Sequence, residues 1–310
     1  MVTPDEMKAY GAFCIRKFEE LGTPYMNIEK PIWHYTNGSS LIAMLDSGKL
    51  WSTQVSCLND MAEINYGSTL LGDALRAILP SVIGNTILET FATYYLSLLS
   101  TERSNSEQQA LSPHYVACFS SVPNSLSQWR AYCGGENGFA VGFSASEIMT
   151  KHLLCSVSYD RSRHAAVAHD VANATLEYFG RGLESRPGVD PEKWGASFLS
   201  AWDASITYLA TVGKHPSFEE ESEVRIVTLG PVDATDLEFR QKESIMSRHY
   251  PLALSNRTQN GRAMLPIQEI MVGPSRYKGV SKASVQALLQ KHGYGTTITV
   301  SQSDCPFQAL

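Results

Sequence analysis

The segment from Ser127 to Phe143 constrains the fold more than any other part of the chain. Polar and aromatic residues at helical spacing occupy its first part, up to Tyr132, and residues from Gly138 onward alternate as they do in a strand. Glycines between the two parts permit a tight turn. The segment therefore predicts a short helix that turns directly into a buried strand.

Composition narrows the class of protein. Hydrophobic residues make up 43% of the 310 residues and charged residues 18%, which is a globular balance. The formal net charge of −6 argues against a surface built throughout for phosphate backbones. The first ten residues lack the apolar core of a secretory signal, and Asp73, Arg76 and Pro80 interrupt the apolar run from Leu70 to Ile83. We expect a cytoplasmic protein without a membrane span.

Strand and helix patterns are interspersed along the chain rather than strictly alternating. The predicted strands are 32–35, 50–55, 115–120, 138–143, 153–159, 223–229, 248–254, 267–272 and 296–301. The predicted helices are 4–21, one from Asn37 or the following serines to Asp46, two within 60–100, one capped by Asn124 and ending at Tyr132, two within 162–212, and 281–291. This order predicts an α+β fold with a mixed or antiparallel central sheet.

The shared polar clusters favour a single domain over residues 1–310. Within it, residues 1–30 hold an N-terminal helix and residues 276–310 a C-terminal helix and strand. The helical stretches near 60–112 and 160–215 are interpreted as insertions. The six cysteines are widely spaced and form no zinc-ligand pattern, so we expect no metal site.

One polar cluster is His34, Tyr35 and Thr36, at the end of a predicted strand. An imidazole can donate or accept a hydrogen bond at neutral pH, which suits His34 to anchor a sugar hydroxyl or a carboxamide. The alternative is a histidine that is merely packed and hydrogen bonded. The two polar neighbours and the order strand, short helix, glycine, strand favour a binding role.

A second cluster lies on the short predicted helix. Trp129 and Tyr132 are three residues apart, so their rings share a face that could receive a flat ligand, and Gln128 can meet Tyr132 from the preceding turn. The alternative is a pair of aromatic side chains that anchors the helix to the core.

A third cluster, Glu221, Glu223 and Arg225, alternates at the start of a predicted strand, which places the three side chains on one face. Arg225 can hold a carboxylate by two hydrogen bonds and fix its rotamer. Glu223 would then accept from a hydroxyl or stabilise a developing cation. The alternative is a solvated, charged strand edge.

A fourth cluster, Asn59, Asp60 and Glu63, opens a predicted helix. Capping of that helix explains most of its residue types, and a ligand role is the alternative.

Together these motifs resemble the DUF2971 family of uncharacterised bacterial proteins, over about residues 31–275. The resemblance rests on four ordered patterns: His34-Tyr35-Thr36, Leu58-Asn59-Asp60 with Glu63, Trp129 to Tyr132 followed by Gly138 to Phe143, and Glu221 to Arg225.

The order of motifs is also similar, more weakly, to the ADP-ribosyltransferase superfamily. That resemblance implies NAD as the substrate, with His34 and Thr36 on the nicotinamide-side ribose and amide. It implies that Tyr132 or Trp129 stacks on nicotinamide and that Glu223 binds the ribose 2′-hydroxyl. Glu221 would correspond to the acid that orients an acceptor. The long insertion before the aromatic helix departs from the superfamily pattern.

The resemblance implies transfer of ADP-ribose to an acceptor that is a protein, a nucleic acid or a small molecule. A bacterial toxin or phage-defence effector, with a cognate antitoxin, would fit this activity. A non-catalytic nucleotide- or protein-binding module is the alternative, and a metal-dependent nuclease lacks the clustered acids that two metals need. We expect the scattered side chains to line one cavity wide enough for a dinucleotide, and Glu223→Gln to abolish nicotinamide release without loss of folding.

Overall fold

The computed structural model describes residues 4–58, 61–100, 114–133, 138–185, 188–228, 233–242 and 245–306. The chain divides into two compact units. A helical unit consists of Met1–Thr23, Leu58–Ser112 and Val157–Pro216, and a sheet unit consists of Pro24–Cys57, Pro113–Ser156 and Ser217–Leu310. The stretches predicted as helical insertions fall in the helical unit.

The described helices are α1 (Pro4–Glu19), α2 (Gly38–Ser47), α3 (Met61–Val82), α4 (Thr86–Ser100), α5 (Leu126–Tyr132), α6 (Ala145–Ile148), α7 (Arg161–Glu184), α8 (Pro191–Val212) and α9 (Lys278–Lys291). No helix within these parts of the chain is both long and apolar enough to cross a membrane. The cytoplasmic location stays a prediction.

The described strands are β1 (Thr23–Pro24), β2 (Pro31–Asn37), β3 (Leu50–Gln54), β4 (Tyr115–Ser120), β5 (Gly138–Ser144), β6 (Leu154–Ser156), β7 (Glu223–Thr228), β8 (Glu238–Lys242), β9 (Ile245–Leu252), β10 (Thr258–Gln259), β11 (Arg262–Ala263), β12 (Ile267–Val272) and β13 (Thr299–Gln302). The predicted strands at 115–120 and 267–272 are confirmed with these bounds. The strand predicted at 153–159 is shorter, and β8 was not predicted.

A mixed sheet organises the sheet unit, as the sequence predicts. Its main path runs β1-β6-β7-β4-β2-β5-β12-β13, and β3 joins it through β4 and leads on to β9 and β8. The pairs β2–β5, β4–β7 and β5–β12 are antiparallel, whereas β12 and β13 are parallel. The structure is therefore an α+β fold with a mostly antiparallel sheet.

Strand β5 is buried along its whole length, because both of its faces are covered. Phe139, Val141 and Phe143 belong to the large hydrophobic core on one face of the sheet. Ala140, between them, packs in a smaller cluster with Trp33 and Trp129. The period-two alternation read from the sequence thus matches two separate apolar layers.

One edge of β4 changes its partner along its length. Thr53 and Gln54 of β3 pair with Val116 and Tyr115 at the beginning of β4, whereas Trp33 of β2 pairs with Ser120 at its end. Strand β7 occupies the opposite edge throughout. Strands β2 and β4 therefore diverge beyond the Trp33–Ser120 pair.

The helix between β2 and β3 has the caps that the sequence predicts. The Asn37 side chain accepts a hydrogen bond from the Ser40 backbone N–H at 2.9 Å, and Gly48 ends the helix with a φ of 68°. This left-handed cap reverses the chain tightly and returns it into β3.

In the helical unit, α7 and α8 meet where Gly182 lies against the indole of Trp194. A Cβ atom at position 182 would lie 1.8 Å from the Trp194 ring, and the indole N–H donates to the Phe179 carbonyl at 2.9 Å. The glycine is thus required by close packing rather than by a turn.

We predict that Gly182→Ala lowers the free energy of unfolding by about 1–3 kcal/mol, because the new methyl overpacks a fixed indole. Gly180→Ala is the matched control in the same helix, since its Cβ would meet only a Leu88 methyl at 3.5 Å. The free energy of unfolding of Gly180→Ala should be unchanged or higher by up to about 1 kcal/mol, because alanine has a higher helix propensity than glycine. Urea unfolding of both variants measures the difference, and equal stability would contradict the packing described.

We also predict that the protein loses stability as pH falls from 6.5 to about 4. Burial lowers the pKa of His114 from 6.5 to about 4, so in this interval the unfolded chain binds a proton that the folded chain does not. The loss should approach roughly 3 kcal/mol. His114→Gln should remove this contribution from the pH dependence of urea unfolding, and His169→Gln, on an exposed face, should leave the contribution in place.

Candidate functional site

A small cavity lies in the sheet unit where β2 and β4 diverge. It is lined by Trp33, His34, Tyr35, Cys118, Phe119, Ser120, Gln128, Tyr132, Glu221 and Glu223. Six of the nine residues predicted to form a site line this cavity, and the other three, Thr36, Trp129 and Arg225, do not. We call it the site cavity.

His34 bridges the gap between the diverging strands. Its Nδ1 lies 2.9 Å from the Cys118 carbonyl oxygen of β4, and since a carbonyl only accepts, Nδ1 carries the proton. Burial lowers the pKa of His34, so the imidazole is neutral at pH 7. Its Nε2 is then an acceptor, and no group in the described part of the chain bonds to it. The cavity wall thus offers an acceptor that a ligand N–H or O–H can satisfy.

Glu223 and Arg225 form a buried ion pair on one face of β7. Arg225 donates from Nε to one carboxylate oxygen at 2.9 Å and from Nη2 to the other at 2.8 Å. Glu223 is 6% exposed and Arg225 is 1% exposed, so the pair is not a solvated strand edge. Arg225 itself does not line the cavity; it positions the Glu223 carboxylate, which does.

Two charges buried in this way depend on each other. Removal of one partner from a buried pair leaves an uncompensated charge and costs about 3–5 kcal/mol. Glu223→Gln would leave the buried Arg225 guanidinium without its carboxylate. Such a variant is therefore expected to lose stability, in contrast to the expectation drawn from the sequence.

Glu221 reaches the cavity by a different route from the one predicted. It ends a 3-10 turn (Pro216–Glu221), and Ser222 follows with a φ of 44°, so β7 begins only at Glu223. The prediction that Glu221 alternates with Glu223 along a strand is wrong, because this left-handed residue redirects the chain. The Glu221 carbonyl accepts from the Ser120 hydroxyl at 2.7 Å, which fixes the turn against β4.

Helix α5 turns one side to the cavity and the other to the core. Gln128 and Tyr132 are four residues apart, share a face and both line the cavity. Tyr132 is 39% exposed, whereas Gln128 is 6% exposed. Tyr132 is therefore the aromatic ring of this helix that a ligand can reach.

Trp129 is a core residue, which corrects the prediction that it faces a ligand. Its indole is 1% exposed and packs edge-on against the Tyr35 ring at a centroid distance of 4.8 Å. The indole N–H donates to Asn124 Oδ1 at 2.9 Å. Asn124 is not the predicted N-cap: it has a φ of 60°, and Ser125 precedes the helix.

Tyr35 and Thr36 contribute less than the sequence suggests. The Tyr35 hydroxyl donates to the Val122 carbonyl at 3.0 Å and accepts from the Ser125 N–H at 2.9 Å. Burial raises the pKa of Tyr35 to about 12, so the hydroxyl stays protonated and holds the loop before α5. Thr36 is buried, and its carbonyl accepts from the Cys133 thiol.

The site cavity is small. It measures about 50 Å³, whereas a cavity that takes a benzene ring measures roughly 150 Å³ and pockets for drug-sized ligands roughly 300–1,000 Å³. The expectation of a cavity wide enough for a whole dinucleotide is therefore not met. Only one end of such a ligand could enter, with the remainder outside.

The sequence did not single out Cys118, Phe119 and Ser120, which line the cavity from β4. Their residue types are those of an ordinary strand, and only the divergence of β2 from β4 places them at a cavity. A second, larger cavity of about 670 Å³ lies between the β10–β11 hairpin and the segment after α9, and it contains none of the predicted site residues.

Two residues of the fourth polar cluster, Asn59 and Asp60, lie outside the described residues, as do Gly134 and Gly135 of the predicted turn. Glu63 lies in α3, as predicted for a helix opening there. In the described ranges, no group of three or more histidine, cysteine or acidic residues is placed to hold a metal ion.

Comparison with known proteins finds similarity to a protein family. The model of a family described as a protein of unknown function, DUF2971, matches residues 128–226. No curated protein and no solved structure matches the chain. The matched range begins at Gln128 on the cavity face of α5 and ends just beyond the Glu223–Arg225 pair. The match supports, over residues 128–226, the resemblance to this family found in the sequence.

Proposed function

We propose that the protein transfers ADP-ribose from NAD, by way of the site cavity in its sheet unit. The observation that carries the proposal is the arrangement of Glu223, fixed by Arg225, in the same cavity as the neutral His34 and the exposed ring of Tyr132. These are an anionic group, a hydrogen-bond acceptor and a stacking surface. The same proposal includes a fold like that of ADP-ribosyltransferases for the sheet unit.

The proposed reaction uses these groups in distinct ways. The bond between the nicotinamide nitrogen and ribose C1′ breaks, and its electron pair leaves with nicotinamide, which departs neutral. The ribose becomes cationic in the transition state, and a fixed carboxylate stabilises such charge well because it needs no reorganisation. Glu223 is placed for this role and for accepting from a ribose hydroxyl.

An acceptor then bonds to C1′ and releases a proton. Glu221 lines the same cavity and is less buried than Glu223, which suits it to orient an acceptor at the cavity mouth. The acceptor is a protein, a nucleic acid or a small molecule. A toxin or phage-defence role in the bacterial cytoplasm, with a cognate antitoxin, rests on the superfamily resemblance alone.

A non-catalytic nucleotide- or protein-binding module is the second candidate. Two observations favour it: the cavity measures about 50 Å³, and both oxygens of Glu223 already accept from Arg225. A carboxylate oxygen has a second acceptor site, so the pair does not by itself prevent binding of a hydroxyl. Turnover distinguishes the two candidates.

We predict that the native protein binds NAD with micromolar to millimolar affinity and releases nicotinamide. The double variant Glu223→Gln/Arg225→Met should fold and lose at least about 100-fold in release, because it removes the carboxylate and its buried counter-charge together. Calorimetry measures binding, and chromatography of nicotinamide measures turnover.

Two controls accompany this experiment. Arg225→Met alone should lower the free energy of unfolding by about 3–5 kcal/mol, since it removes the buried cation that pairs with the Glu223 carboxylate. Glu220→Gln, an exposed carboxylate in the preceding turn, should keep full activity. If the native protein binds NAD but releases no nicotinamide, the binding module is the function supported. If it neither binds NAD nor releases nicotinamide, the transferase is excluded.

A further inference from the structure

Gln128 carries a carboxamide that has no hydrogen-bond partner among the described residues. Its side chain lines the site cavity and is 6% exposed, and no group within the described ranges bonds to its amide. Within the same ranges, the side-chain nitrogen and oxygen atoms that are fully buried without a partner are Ser68 Oγ and His292 Nε2, so the Gln128 amide reaches the open space of the cavity. The amide is therefore available to a ligand.

The free groups of the cavity are complementary to another carboxamide. Gln128 offers two N–H donors and a carbonyl acceptor, and His34 offers the Nε2 acceptor. A ligand carboxamide carries the matching set, a carbonyl and two N–H groups. A carboxylate has no N–H group and leaves the two acceptors unsatisfied.

Charge favours the same ligand. Two acidic residues, Glu221 and Glu223, line the cavity, and Glu223 is paired with the buried Arg225. A ligand carboxylate would add a further negative charge in a confined, partly dehydrated space, where like charges repel strongly. A neutral carboxamide avoids this repulsion.

The size of the cavity agrees with a group of this kind. A group the size of a water molecule needs roughly 10–15 Å³ of cavity volume, so about 50 Å³ holds at least two such groups. The oxygen and nitrogen of a carboxamide are two such groups. An attached ring would lie at the mouth of the cavity, beside the exposed ring of Tyr132.

We infer that the site cavity is a carboxamide subsite, in which Gln128 distinguishes an aromatic carboxamide, such as nicotinamide, from the corresponding acid. The inference rests on the proposed function, in which NAD supplies the nicotinamide. It adds a specificity-determining residue that selects the leaving group by its amide.

The test compares three ligands on the native protein by ligand-observed NMR titration: nicotinamide, nicotinate and N,N-dimethylnicotinamide. Nicotinamide should bind at least about tenfold more tightly than either analogue. Neither analogue has amide hydrogens to donate, and nicotinate is also negatively charged. Gln128→Met, close in size, should weaken nicotinamide binding about tenfold and reduce its advantage over the analogues.

Gln286→Met, on an exposed face of α9, is the matched control and should bind nicotinamide as the native protein does. Equal affinity for the three ligands, no binding of nicotinamide, or unchanged affinity in a folded Gln128→Met would each overturn the inference. If Gln128→Met does not fold, the ligand series on the native protein decides.

Turnover of NAD separates this inference from the proposed function. Nicotinamide binding that depends on Gln128, in a protein that releases no nicotinamide from NAD, would support the subsite and exclude the transferase. Release of nicotinamide at an unchanged rate and affinity by a folded Gln128→Met would support the transferase and overturn the subsite.

Discussion

The change of partner along one edge of β4 is the constraint on which the candidate site depends. A strand whose edge paired with a single neighbour would have its carbonyls satisfied by that neighbour. Here β3 pairs with the beginning of β4 and β2 with its end, and the Cys118 carbonyl between them accepts from the His34 imidazole. The same hydrogen bond fixes the tautomer of His34 and leaves Nε2 on the cavity wall. Sheet topology and site chemistry therefore have one physical origin.

The buried pair of Glu223 and Arg225 gives the cavity its charge and limits how it can be studied. An isolated carboxylate would not remain buried and ionised, so Arg225 is the condition for an anionic group at this depth. The cost of this arrangement is that the two residues cannot be varied independently without effects on folding. Because the cavity is small, only one end of a ligand can contact the Glu223 carboxylate.

Much of the local structure follows from the sequence, because it depends on neighbouring residues. Asn37 and Gly48 bound a helix through backbone groups within a few positions of each other, and both caps are present. The alternation along β5 and the bounds of β4 follow from the period of a strand. The sequence also indicated which polar clusters to examine, and six of their residues line one cavity.

Tertiary packing decided which side chains face that cavity. Spacing alone allowed Trp129 or Tyr132 to face a ligand, and the packing of α5 on the small hydrophobic cluster placed Trp129 in the core. Strand alternation predicted a shared face for Glu221 and Glu223, but the left-handed Ser222 changed the chain direction. The sequence by itself thus determined the elements, the helix caps and the polar residues, because these depend on local periodicity and backbone chemistry. Only the tertiary structure decided the cavity volume, the freedom of Gln128 and the burial of the ion pair, because these depend on contacts between residues distant in sequence.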